Sequence, residues 1–113
     1  MRPDCGYNIE TANGDNVDAT AGALTAIAAP HADNGPNAAI IIDCIFISTS
    51  SAVTGFTVKI SSGSKEYGRI YMGASDFFAK DVQIHCPKGT AVTITPVSGA
   101  GNFSWNLHYH ISR

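Results

Sequence analysis

The chain is short of charge. Only 14% of its 113 residues are Asp, Glu, Lys or Arg, against about a quarter in an ordinary soluble domain. A free monomer usually wears a solvating coat of such residues. Two readings follow: a coat of Ser, Thr and Asn instead, or a surface that meets other proteins. The seven basic residues form no run and the net charge is −2, which argues against a nucleic-acid partner. Long apolar stretches are missing too. The longest, Ala-Ala-Ile-Ile-Ile at 38–42, falls far short of the ~20 residues that cross a bilayer as a helix, so no membrane partner is expected. Met1-Arg2-Pro3-Asp4-Cys5 holds no apolar export core, and folding in a cytoplasm is the expectation.

Cysteine is scarce: Cys5, Cys44 and Cys86. The number is odd and no C-x-x-C spacing occurs, so a metal or redox motif is not indicated. Cys44 and Cys86 sit in apolar strand patterns, where a thiol behaves as a small hydrophobe. A bond between them is open on sequence grounds, although a reducing compartment would oppose it.

Catalytic signatures are absent as well. There is no G-x-S-x-G elbow, no phosphate-cradling glycine loop and no visible carboxylate pairing. No catalytic residue, metal or cofactor is expected. Three arrangements merit weighing. His108 and His110 leave one face of a strand about 7 Å apart, and would need Glu66, Asp43 or His85 as a third ligand to hold a metal. The alternative is a polar outer face or a subunit contact. Asp15 and Asp18, with Asn13, Gly14 and Asn16, loosely resemble a calcium loop but lack its bidentate Glu. Asp43 interrupts an apolar run and needs a partner if buried; Lys59, Arg69 or a neighbouring subunit could supply one, and exposure to solvent is the alternative.

What the sequence does contain is period-two alternation. Phe103, Trp105, Leu107, Tyr109 and Ile111 fall on one face of a final strand, and Ser104, Asn106, His108, His110 and Ser112 on the other. That is the pattern of a half-buried antiparallel strand. Val92 and Ile94, Val82 through Cys86, Ile70 and Met72, and Phe56 through Ile60 give four more strands. Residues 39–47 are apolar on both faces except at Asp43. Six strands at turn spacings of about 8–12 residues predict an all-β sandwich or barrel over 38–113. Residues 1–37, rich in Ala, Gly, Asn and Asp, read as an extended N-terminal arm with one or two weak strands. Residues 74–80 read as a loop or single helical turn with Ser75 as its N-cap.

Tyr67, Tyr71, Phe77, Phe78 and Trp105 are candidates for an aromatic platform that would bind sugar, although Trp105 belongs to the core face. Phe77 and Phe78, in the expected loop, are contact candidates. So are Tyr7, Ile9 and Val17 of the arm and Asn106, His108 and His110 of the last strand.

Four segments carry a resemblance: Phe-Thr-Val-Lys-Ile-Ser-Ser-Gly (56–63), Gly-Arg-Ile-Tyr-Met-Gly (68–73), Pro-Lys-Gly-Thr-Ala-Val-Thr-Ile-Thr (87–95) and Gly-Asn-Phe-Ser-Trp-Asn-Leu-His-Tyr-His (101–110). They resemble the small β-sandwich virion proteins of tailed bacteriophages, especially capsid decoration (cement) proteins and related head or tail modules. The resemblance covers about half the chain and transfers no site residues. It implies a jelly-roll-like antiparallel β-sandwich and a structural role in a virion. It further implies a homotrimer, with the major capsid protein or another virion protein as partner. A sugar- or receptor-binding knob is the alternative, and a cupin-like metalloenzyme using His108 and His110 a third.

Overall fold

The computed structural model describes residues 10–113. Eight strands follow one another: β1 (Glu10–Asp18), β2 (Leu24–Ile27), β3 (Ala39–Thr49), β4 (Thr54–Ser62), β5 (Lys65–Met72), β6 (Phe77–His85), β7 (Val92–Ala100) and β8 (Asn102–Ser112). The one helical element among the described residues is a 3-10 turn at Ala32–Asn34. A first sheet has the order β1-β8-β3-β6 and a second the order β2-β7-β4-β5. Every pairing is antiparallel. Only β4 and β5 are consecutive neighbours in one sheet; every other connection passes from one sheet to the other. This interleaving of two four-stranded sheets is the jelly-roll form of the β-sandwich.

The core follows from the alternation. Phe103, Trp105 and Leu107 of β8 and Ile40, Ile42, Ile45 and Ile47 of β3 turn inward from the first sheet. Phe56, Val58 and Ile60 of β4 and Val92 and Ile94 of β7 meet them from the second. Each such side chain contributes roughly 1.5–3 kcal/mol by leaving water. The Phe56 and Phe103 rings bridge the layers at 4.9 Å, tilted by 41°, within the range aromatic pairs favour.

β1 and β2 lie within the stretch read from sequence as an arm. Each is an edge strand, β1 beside β8 and β2 beside β7. The β7–β8 connection is tight because Gly99 and Gly101 take positive φ, 104° and 95°, which side-chain-bearing residues rarely adopt. β7 runs on through Pro96 to Ala100, where the sequence suggested an earlier end. Register irregularities in β4 opposite this stretch accommodate the proline.

Residues 74–80 differ from expectation. Ser75 caps no helix; it sits at φ 49° in a turn, and β6 begins at Phe77. Thr49 dictates this. Its Oγ1 donates to the Gly73 carbonyl at 2.6 Å and accepts from the Asp76 amide at 2.8 Å, tying the turn to the end of β3. Phe77 and Phe78 are thereby delivered onto Ser48 and Ile47 as strand residues.

Candidate functional site

The outer face of the first sheet gathers most of the polar chemistry. Its centre is a β-bulge. Between Ile42 and Cys44 the register of β3 slips against both β8 and β6. The slip leaves Asp43 as an extra residue, and extra residues of this kind re-aim side chains. Asp43 turns outward beside Cys44, yet only 2% of it is exposed. Its Oδ2 lies 2.7 Å from His110 Nδ1, and its Oδ1 accepts from Gln83 Nε2 at 2.9 Å. The partners foreseen for Asp43, Lys59 and Arg69, belong to the second sheet and do not reach it. Solvent exposure is likewise overturned. A buried carboxylate of this kind is held by hydrogen bonds from both sides.

His108 does not join the Asp43 cluster. Its ring packs on Phe46, centroids 5.1 Å apart, and its Nδ1 is buried without a hydrogen-bond partner. His110 instead turns to Asp43. Among the described residues no three His, Cys, Asp or Glu side chains come together to hold a metal ion. Cys44, 3.3 Å from an Asp81 carboxylate oxygen, is disulfide-bonded, so its reading as a simple thiol is corrected. Cys86 is a free, buried thiol, and the two are not joined to each other. Burial pushes the Cys86 thiol up from its ordinary range.

Asp18 belongs to the turn after β1. Its Oδ1 accepts from the Thr20 amide and hydroxyl, both at 2.8 Å. These donors hold its carboxyl below the usual range. This is a local turn, not a calcium loop.

At one end of the same face lies an open groove of about 310 Å³. Phe46 and Asn106 form its floor, Phe77 one wall, and Asn13 and Asp15 of β1 the other. Phe77 is 65% exposed, a high value for a phenylalanine. Asn106 has a buried Oδ1 with no partner. Ser104 Oγ donates to Asp15 Oδ1 at 2.9 Å and accepts from the Asn16 amide at 3.0 Å, which fixes the β1 side.

The sequence candidates therefore divide. Phe77 and Asn106 share the groove, and His108 and His110 continue the same face along β8. Val17 and Phe78 pack against the core from the sheet edges. Tyr7 and Ile9 lie outside the described residues. The five aromatics do not form a platform. Tyr71, 75% exposed, stands on the outer face of the second sheet, Phe77 on that of the first, and Trp105 is inside at 7%. Two features were not foreseen: the Asp43–Gln83 contact, which pairs residues 40 apart, and the part of β1 in the groove wall. The only signal was Asp43 itself, a charge in an apolar strand.

No protein-family model and no curated protein matches the chain. Among solved structures of related shape is a Nora virus structure, with a TM-score of 0.40 and 14% identity. The match covers 98% of this chain, which spans 62% of that one.

Proposed function

We propose that the protein is a structural component of a virion, a capsid decoration protein that binds the head and stabilises it through subunit contacts. On this reading it is not an enzyme. It resides in the virion, and its partners are the major capsid protein or another virion protein, together with copies of itself, a trimer by resemblance. The observation that carries the reading is the jelly-roll strand order, an architecture that capsid proteins share with lectins and cupins. Fold alone never fixes function, so the surface supplies the rest. Charge is scarce, and the outer face of the first sheet offers an exposed Phe77 beside a groove whose polar lining is Asn13, Ser48, Ser104 and Asn106 with Asp15 as its one charged residue. Such a mixture suits a protein contact, with an aromatic anchor inside a polar rim. Many such contacts, each weak, sum along a lattice.

The sugar-binding alternative calls for rings gathered on one surface, and the fold distributes them over opposite sheets. The test is direct. Purified protein is added to undecorated shells and followed by sedimentation and thermal melting of the particles. Co-sedimentation at a fixed number of copies, with a raised shell melting temperature, is the expected result. A protein that ignores every shell and stays monomeric at high concentration overturns the reading.

A further inference from the structure

The sandwich gapes on one side. Where the edge strands β5 and β6 face each other, an apolar cleft of about 200 Å³ enters between the sheets. Its walls include Ile60, Tyr67, Ile70, Phe78, Val82 and Ile84, all but Ile60 only half-buried, and the Tyr67 hydroxyl donates across to the His85 carbonyl of β6 at 3.2 Å. One residue contributes to the opening. Met72, Ile70 and Gly68 alternate inward on β5, opposite Phe56, Val58 and Ile60. At Gly68 that inward row has no side chain. A Cβ built there would meet nothing within 4 Å, and the backbone has no positive φ that would demand glycine. The bare Cα of Gly68 leaves room in the cleft beside Tyr67, which the register slip after Ile60 also turns toward the core.

The mouth carries one sign of charge. Arg69 and Lys80 are the charged residues that line it. Arg69 already shares its guanidinium with Glu66, at 3.0 and 3.1 Å. Lys80 forms no ion pair among the described residues. It also breaks a pattern, since the inward row of β6 reads Phe78, Lys80, Val82, Ile84. An inward charge on an edge strand discourages strand-to-strand aggregation. Here it also places a cation at the lip of an apolar slot. For scale, an apolar cavity of about 150 Å³ accepts benzene.

We propose that this cleft binds a free, short-chain anionic amphiphile of the alkyl carboxylate class. The tail occupies the space open at Gly68, and the carboxylate meets Lys80, with Arg69 beside it. The site is separate from the outer face of the first sheet and does not depend on the virion reading.

The experiment titrates the full chain with sodium octanoate and, separately, octylammonium chloride, following methyl resonances by NMR. Octanoate is expected to move the methyl signals of Ile60, Ile70 and Val82 saturably, and octylammonium to leave them in place. Lys80→Glu should weaken octanoate by about tenfold, the scale of one charge-assisted contact, and admit octylammonium. Gly68→Leu should abolish the octanoate response while the melting temperature holds or rises. Three results overturn the proposal: no saturable octanoate shift in the wild type, equal response to both head groups, or octanoate binding that survives Gly68→Leu. Should Gly68→Leu fail to fold, the head-group reversal in Lys80→Glu decides alone.

Discussion

Asp43 and His110 sit 67 residues apart in sequence and 2.7 Å apart in space, and they are unequal partners. The carboxylate side chain is 1% exposed, the imidazole 35%. Water can reach the histidine if its partner is lost, but not the aspartate. The pair links β3 to β8, and Gln83 extends it to β6, so one polar cluster ties three of the first sheet's four strands on their outer side.

That asymmetry sets the first prediction. His110→Ala leaves a buried carboxylate with Gln83 alone, and should cost about 2–3 kcal/mol, as stranded buried charges do. Asp43→Asn keeps an acceptor for Gln83 and leaves His110 free to hydrate, and should cost about 1 kcal/mol. Urea unfolding of the two variants measures the order, and a reversed order would show that the imidazole is not what holds Asp43.

Gly14 and Trp105 give the second. They are paired across β1 and β8, and the indole lies over the glycine. A Cβ on residue 14 would stand 2.2 Å from Nε1 and 2.6 Å from Cε2, a clash that requires the ring or the strand to move. Gly14→Ala should destabilise by about 1–3 kcal/mol and shift the fluorescence maximum of the single tryptophan. Gly73→Ala, where a Cβ meets nothing within 4 Å, is the control and should leave both readings unchanged.

Cys86 supports a statement about alkaline stability. Burial raises its thiol above the ordinary value of 9.0, so the folded state holds its proton longer than the unfolded chain. Above pH 9.0 the unfolded state binds fewer protons than the folded one, and stability falls as pH rises. Below that value the contribution is fully present. The Tyr67 and Tyr109 phenols, also pushed up by burial, add to the decline at still higher pH. Cys86→Ala should flatten the first part of the alkaline decline in a series of denaturant midpoints from pH 8 upward. An unchanged slope would remove Cys86 as its source.

The sandwich was legible in the sequence wherever alternation was strict. β8 reads inward and outward without error from Phe103 to Leu107, and β4 and the first half of β7 nearly so. The failures have identifiable causes. The bulge at Asp43 adds one residue to β3, so Asp43 and Cys44 share a face that period two would have split. β1 is an edge strand with small or polar residues at every position but Val17, and β2 is an edge strand of only four residues, so their hydrophobic signal is weak. Phe77 and Phe78 looked like loop residues because two adjacent aromatics do not alternate; one faces solvent and the other the core. The site was legible in part. Residue type singled out Phe77, Asn106 and His110, but nothing local could show that Gln83 meets Asp43 or that β1 walls the groove.

Phe77 offers the sharpest test of the proposed docking face. It is exposed at the wall of the groove and makes no ring contact with another aromatic among the described residues, so Phe77→Ser should leave the melting temperature of the free protein within about 2 °C, the range expected of a surface change. The same substitution should weaken shell binding by more than tenfold, since exposed aromatic anchors that become buried carry about 2 kcal/mol or more. Tyr71→Ser is the matched control. It removes a ring of greater exposure from the opposite sheet, and shell binding should not change. Should Tyr71→Ser abolish binding and Phe77→Ser spare it, the second sheet would be the docking face and the groove would lose its assigned role.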